Sequence, residues 1–349
     1  MNSDIDIEKV LKQYPVSLDE LRIIPIKTGL IHHSYKIETP DRSYLLQKIN
    51  TEVFDDVDSL MNNIALVTNT LTESYQGSSY ESLEILKTNN EALYYESSSA
   101  AWRMYHFKEH LIGYESPKNK EIVWEAGHVF AHFADALAKT NPDQLAITIP
   151  HFHSLEFRYQ QLREALKLTN VDLSDIDILL EKISEFTRLL IPLEQAMKED
   201  SIPLRITHND SKFNNLLFDS SDKARCVVDL DTVMPGIIHF DVGDCLRTLT
   251  PNSSEDEPDL EKITLRKDYH TAFLEGYRVG GTDFLTDNEI NYLPYAAPYM
   301  SLIMGIRFLT DHLNGNQYYS FDYPGHNLVR SRCQVEVTRQ FLNQFPLNR

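Results

Sequence analysis

The chain has 349 residues, 42% of them hydrophobic, with 33 Lys+Arg against 52 Asp+Glu and a formal charge of −19. That field repels polyphosphate and anionic lipid, which argues against nucleic-acid and membrane-surface binding, and the longest apolar stretch, near Ser301–Leu309, contains Arg307 and is too short to span a bilayer. An acidic start, Met1–Asp6, is unlike a signal peptide, and Cys226, Cys245 and Cys333 are too far apart for a zinc ribbon or a disulfide framework, so a cytoplasmic protein of two lobes is expected.

Residues 1–20 begin with a short amphipathic helix, with Ile7, Val10 and Leu11 at helical spacing. Leu21–Ile26, Ser34–Glu38 and Tyr44–Ile49 read as antiparallel strands separated by turn signals at Thr28-Gly29 and Thr39-Pro40-Asp41. Val53, Val57, Leu60, Met61, Ile64, Val67 and Leu71 then predict a helix with acidic residues in its first turn. Tyr80–Thr88 and Ala92–Tyr95 read as weaker strands and Ala100–His106 as a fifth. After Gly113 the period becomes helical, through Val123, Ala126, Phe130, Phe133, Ala134 and Leu137, and it returns in Phe157–Leu168, Ile176–Lys198, Leu260–Tyr277 and Ile290–Leu313. Short strands at Leu204–Thr207, Leu216–Phe218 and Cys226–Val228 interrupt the helices. The expected fold is α+β: an antiparallel β lobe with one helix over residues 1–110, then a mainly helical lobe over 111–349 with a β-hairpin embedded in it.

That hairpin carries the densest polar cluster, Thr207-His208-Asn209-Asp210-Ser211-Lys212-Phe213-Asn214-Asn215 before Leu216–Phe218, and Asp229-Leu230-Asp231 after Val228. If Leu217 lies opposite Val227, Asn215 lies opposite Asp229, with Cβ atoms ~4.5–5.5 Å apart on one face. A carboxylate and an amide oxygen at that separation suit a hard cation such as Mg²⁺ held mainly by substrate phosphates. Asp210 sits on the connecting loop, where its carboxylate can orient a hydroxyl nucleophile. The competing view is a polar turn in which Asp and Asn only cap and bend the chain.

His208, two residues before Asp210, resembles a structural histidine more than a chemical one. Arg307, in an almost wholly apolar segment, needs an anionic partner or a ligand: Asp311 one turn on, an acid of the hairpin, or a substrate. Asp231 could bind a substrate hydroxyl, assist a metal or cap the next segment. His128 and His132 have the spacing of a metal pair but no evident third ligand, and read as packing. Tyr318, Tyr319 and Tyr323 could stack on a ligand or simply fill a core.

Asp210 with Asn215 five residues on, His208 two before, and Asp229 ending the next strand resemble the catalytic loop of the protein-kinase-like fold, in the form used by the aminoglycoside and choline phosphotransferases. Within that superfamily the wording of Thr207–Asp210, Asp229–Gly236, Arg307–Asp311 and Gly325–Arg330 is similar to the N-acetylhexosamine 1-kinase-like group. The resemblance implies a two-lobe kinase-like fold and transfer of the γ-phosphoryl of ATP to a small-molecule hydroxyl, the anomeric one of an N-acetylhexosamine. It implies Asp210 as the catalytic base, Asn215 and Asp229 as Mg²⁺ ligands, Asp231 and Arg307 at the sugar, and His208 and Asp241 as the scaffold of the loop. No G-x-x-x-x-G-K-[ST] or G-x-G-x-x-G is present, so by the resemblance Thr28–Ser34, with Gly29 and His32, would cover the phosphates. Lys48 would reach them from the third strand, although a shift of one residue hands that position to Gln47. Asp56, Asp58 and Glu73 are the available helix acids. An amino alcohol or aminoglycoside acceptor, or a catalytically silent nucleotide-binding module, are the alternatives.

Overall fold

Alternation along one strand decides which side of the N-terminal sheet faces the rest of the molecule. The computed structural model describes residues 2–26, 31–97, 100–169 and 176–347. Helix α1 (Asn2–Leu11) precedes β1 (Arg22–Ile26), β2 (His33–Glu38) and β3 (Ser43–Lys48); helix α2 (Val57–Ser74), β4 (Tyr95–Ser97) and β5 (Ala100–His106) follow. The sheet order is β1-β2-β3-β5-β4, every pair antiparallel. Tyr44 and Leu46 of β3 pack with Ile7 and Leu11 of α1 and with Trp102 and Met104 of β5. Leu45 packs on the opposite side with Ala101 and Tyr105, in the core shared with the helical lobe. Because side chains alternate strictly, Lys48 belongs to the α1 face and Gln47 and Arg103, paired across β3 and β5, to the face toward the helical lobe.

The second part of the chain contains β6 (Ile112–Gly113), α3 (Lys120–Leu137), α4 (Leu155–Leu168), α5 (Asp177–Lys198), β7 (Arg205–Thr207), β8 (Leu216–Phe218), β9 (Ala224–Val227), β10 (Met234–Gly236), α6 (Ile238–Leu249), α7 (Lys267–Gly280), α8 (Asp287–Tyr292), α9 (Ala296–Leu313) and α10 (His326–Gln344). Strands β6, β8 and β9 form one small sheet and β7 and β10 another. This is the expected α+β arrangement of an antiparallel lobe and a helical lobe. One core spans them, since Leu60, Ile64, Val67 and Leu71 of α2 join Val123, Phe130 and Phe133 of α3. Asn63 fastens α2 further: its amide donates to the carbonyls of Ala146 (2.8 Å) and Val233 (3.0 Å) and accepts from Ala146 N (2.9 Å).

Several expectations change. Tyr80–Thr88 is not a strand and makes only single bridges, Glu81 to Cys226 and Ile85 to Tyr105. The segment 290–313 is broken at Leu293–Tyr295, where Pro294 opens a 3₁₀ turn between α8 and α9. Helix α7 begins at Lys267, seven residues later than its apolar pattern suggested. Helices α6 and α10 were not anticipated.

Helices α3 and α7 run side by side in the same direction with their backbones nearly touching. A Cβ at Gly127 would fall 2.1 Å from Phe273 O, and one at Gly276 would fall 2.0 Å from Trp124 O. Only glycine permits that approach. We expect Gly276→Ala to force the helices apart at a cost of about 1–3 kcal/mol, lowering Tm by several degrees; an unchanged melting temperature would show that the contact is not tight.

Candidate active site

The loop after β7 is held from below by backbone groups. Asp241, near the start of α6, accepts His208 N (2.8 Å) on one oxygen and Asn209 N (2.7 Å) on the other, and its carbonyl accepts Ser211 Oγ (2.6 Å). Burial pushes the Asp241 carboxyl up to about 6, against the pull of His208. Asn209 takes a left-handed φ of 62°, which Asn tolerates, and its amide donates to Thr207 O (3.1 Å) and Thr232 O (3.1 Å). His208 donates from Nε2 to Val228 O (2.8 Å) and accepts Asp210 N on Nδ1 (3.2 Å), so both ring nitrogens are occupied in holding the loop to the hairpin. Phe130 and Phe133 of α3 lie against its ring.

Asp210 leaves this frame with its carboxylate paired to Lys212 (2.8 Å). The lysine charge holds the carboxyl below its usual range in spite of burial, which keeps it ionised at neutral pH. Asn215 spends its amide nitrogen on Asp210 O (2.7 Å) and more distantly on the Asp210 carboxylate (3.4 Å). Among the described residues its Oδ1 has no donor.

The hairpin register differs from the one expected: Leu216, not Leu217, pairs with Val227, and a bulge separates Leu217 from Phe218. Asn215 O therefore accepts Val228 N (2.9 Å), and Asp229 does not continue the ladder. It turns left-handed (φ 62°, ψ 57°) and leads into the 3₁₀ turn Leu230–Thr232. Its side chain is open to solvent and makes no hydrogen bond or ion pair with the described residues. The like charges of Asp231 and Asp210 push its carboxyl above the ordinary carboxylate range.

An amide oxygen and a carboxylate, both unspent and next to an ionised Asp210, are hard donors that fit a divalent cation. No group of three His, Cys, Asp or Glu able to hold a metal occurs among the described residues. Two protein oxygens with phosphates completing the shell is the arrangement in which Mg²⁺ is usually held. A cavity of about 600 Å³ lined by Lys120, Trp124, Lys223 and Lys267 lies elsewhere, at the starts of α3 and α7, and contains none of these groups.

Asp231 joins the lobes. Arg103 of β5 grips it with both terminal nitrogens, one at 2.8 Å from Oδ2, and His32 Nε2 donates to the same oxygen (2.7 Å). The tautomer follows from the other nitrogen, since His32 Nδ1 accepts Asn50 N (3.0 Å). Arg103 is 1% exposed and its Nε donates to Gln47 Oε1 (3.0 Å), while Gln47 donates to Ser34 Oγ (3.0 Å). Arg103 and His32 hold the Asp231 carboxyl well below the usual range, overriding the penalty of burial.

The basic group that the sheet sends toward the loop is thus Arg103 on β5, not Lys48 on β3. Sequence reasoning passed over Arg103, although a lone arginine inside Ala100–Tyr105 is the same signal that singled out Arg307. Gly29 lies outside the described residues. None of the candidate helix acids pairs with Lys48: Asp56 caps α2 through Ser59 N (2.9 Å), Asp58 accepts Tyr94 OH (2.9 Å), and Glu73 is exposed at the far end of the helix.

Arg307 has no carboxylate at ion-pairing distance among the described residues. Its guanidinium instead lies over Phe152 (5.2 Å), Tyr319 (5.4 Å) and Tyr318 (5.6 Å). Asp311, its expected partner, accepts the backbone N–H groups of Gln317 (2.9 Å), Tyr318 (2.8 Å) and Tyr319 (3.0 Å), and so builds the turn that brings those tyrosines to Arg307. His128 and His132 hold no metal cluster: His128 Nδ1 meets Tyr80 OH (2.9 Å) and His132 stacks on Tyr75 (5.3 Å).

Two consequences are measurable. Removing the buried guanidinium in Arg103→Met leaves Asp231 charged and largely unpaired, and should cost about 3–5 kcal/mol in urea unfolding; the double variant Arg103→Met/Asp231→Leu should recover part of that loss, and additive losses would deny the coupling. His153 donates to Asn209 O (2.8 Å) and His239 to Glu289 O (2.8 Å), and burial lowers them to about 3 and about 4 respectively. The unfolded chain takes up a proton at each below pH ~6.5 while the folded chain does not, so stability should fall with pH below that point by up to ~1.4 kcal/mol per unit for each histidine. His239→Gln should remove one proton from that slope; an unchanged slope would rule its titration out.

The chain is similar in structure to a microcompartment-associated aminopropanol kinase (TM-score 0.65, 13% identity, 99% of each chain covered). It is also similar to a choline kinase from Cryptosporidium parvum (TM-score 0.62, 13% identity, 98% of this chain and 97% of that one). An amicoumacin kinase in complex with AMP-PNP and Ca²⁺ matches with a TM-score of 0.62 at 13% identity, over 100% of this chain and 96% of that one. At such identities the likeness shows the shared fold. The sequence itself matches the phosphotransferase enzyme family over residues 22–280, and on that match the chain belongs to this family: it is an ATP-dependent phosphotransferase acting on the hydroxyl group of a small molecule.

Proposed function

We propose that the protein transfers the γ-phosphoryl group of ATP to the anomeric hydroxyl of an N-acetylhexosamine, with Asp210 as the base. The observation that carries this reading is the ionised Asp210 carboxylate beside two unspent oxygens, Asn215 Oδ1 and the Asp229 carboxylate. Residues 1–110 serve as the nucleotide lobe and 111–349 as the catalytic and acceptor lobe.

Asp210 accepts a hydrogen bond from the acceptor hydroxyl, orients it and takes its proton as the bond to phosphorus forms. Lys212 lies against the same carboxylate and tempers its charge. Asn215 and Asp229 hold Mg²⁺, which when bound offsets the charge on the phosphate oxygens. His32 and the sheet face bearing Gln47 and Arg103 border the phosphates, while His208 and Asp241 keep the loop in place. Arg307 lines the acceptor side, whereas Asp231, expected at the acceptor, is buried and spent on Arg103 and His32 and serves to tie the lobes. The wording shared with the hexosamine kinases favours a sugar, and the unpaired Arg307 opposes a cationic acceptor such as an amino alcohol or aminoglycoside.

Mg-ATP consumption over N-acetylglucosamine, N-acetylgalactosamine, plain hexoses, choline, ethanolamine and an aminoglycoside tests the acceptor. Turnover confined to hexosamines, with loss of reducing-end reactivity, is expected; turnover on choline or an aminoglycoside alone would discard the sugar. Asp210→Asn should bind Mg-ATP nearly as well as the native protein and lose a factor of about 10² or more in turnover. Near-full activity in that variant removes Asp210 as base. Asp229→Ala should shift the magnesium titration to higher concentration, and an unshifted curve removes it as a ligand.

A further inference from the structure

We infer that the acceptor carries an oxyanion, a carboxylate or a phosphate, seated between Arg158 and Arg307 beside the Tyr319 hydroxyl. This narrows the reading above to an acceptor sugar that bears such a group, and rests on that reading only for placing the acceptor next to Asp210.

In a chain of net charge −19, two neighbouring half-buried arginines without an acid partner among the described residues are an anomaly. Arg158 donates from Nε (3.3 Å) and Nη2 (3.0 Å) to Phe152 O and from Nη1 to Gln161 Oε1 (2.9 Å), all neutral groups. Arg307 makes one long contact, to Met304 Sδ at 3.7 Å, and leaves most of its five N–H donors unspent. Their mutual repulsion is felt: burial and the charge of Arg307 lower Arg158 to about 10.

The internal acids that could relieve this are engaged elsewhere. Asp311 is used on three backbone amides, and Glu255, whose field reaches Tyr319, is bound to Arg247 (2.8 Å). Beside the two guanidinium groups the Tyr319 hydroxyl is buried without a hydrogen-bond partner. Two planar forks and a hydroxyl donor make a recognition set for a carboxylate or phosphate. The aromatic faces of Phe152, Tyr318 and Tyr319 would suit a quaternary ammonium, but Arg307 already occupies them.

The cage is also close to the chemistry. Phe152 adjoins His153, whose ring holds the carbonyl of Asn209, the residue before Asp210. An acceptor anchored here by its charged end can present a hydroxyl to Asp210.

Calorimetric binding and turnover are measured, in the presence of Mg²⁺ and AMP-PNP or ATP, on three matched pairs: N-acetylglucosamine with its 6-phosphate, glucose with glucuronate, and glycerol with glycerate. The charged member of at least one pair should bind about tenfold or more tightly than its neutral match. Preference in the first pair points to a phosphate and in the other two to a carboxylate. Arg158→Gln should bring the ratio to within about threefold, and Arg158→Lys should keep part of it, with Tm reporting that both variants fold. Equal binding within every pair, or a ratio unmoved by Arg158→Gln, overturns the oxyanion site whatever the turnover. Phosphorylation of glycerate or glucuronate but of neither hexosamine would keep the oxyanion site and discard the hexosamine reading instead.

Discussion

The buried bridge from Arg103 to Asp231 is the constraint on which the arrangement of the site depends. A guanidinium 2% exposed at its side chain and a carboxylate 3% exposed are stable in such surroundings only if each neutralises the other, and they come from different lobes. Their pairing sets how far the sheet stands from the loop that carries Asp210, and His32 adds a second tie from the sheet to the same carboxylate. The row Ser34, Gln47, Arg103 across β2, β3 and β5 passes this constraint into the sheet, because Gln47 holds the arginine from the side. Asp231 lies two residues beyond Asp229, so the lobe contact and the candidate metal site share one short turn of backbone.

The loop itself is built by main-chain groups more than by side-chain packing. Asp241 takes two successive N–H groups, Asn209 returns two donors to carbonyls, and Thr232 Oγ1 donates to His208 O (2.6 Å). Beneath it, Phe130 and Phe133 rest on α3, which α7 supports through the glycine contact. The Asp210 carboxylate meets its surroundings only after this frame has ended.

Much of this was legible from the residue pattern. The three N-terminal strands, α2 and α3 follow from alternation and helical spacing, while β5 and the strand triplet around Asp210, buried almost throughout, read as short apolar runs between polar segments. Helix α6 has no such contrast, since nearly every residue from Ile238 to Leu249 is buried. Helix α10 fails for the opposite reason: it buries His326, Asn327, Ser331, Gln334, Glu336, Thr338 and Gln340, so its inner face does not read as apolar. The motif residues were found by type and spacing, but the hairpin register slipped by one because a three-residue apolar run has no contrast between its faces to fix its pairing. Parity also decided between Gln47 and Lys48, and only the pairing with β5 could settle it. The partner of Asp231 lay 128 residues away, beyond the reach of any local pattern.

Asp311 binds the turn at residues 317–319 through backbone amide hydrogens, and the Tyr319 ring packs on Phe308 (4.7 Å), so the path of the turn does not depend on the side chain at 318. Tyr318, 61% exposed, therefore stands on a mount built without it. A substitution at Tyr318 can redraw the outline beside Arg307 while the backbone path of the turn and the loop carrying Asp210 stay as they are. The outline beside Arg307 is in this way set apart from the main-chain frame that holds Asp210.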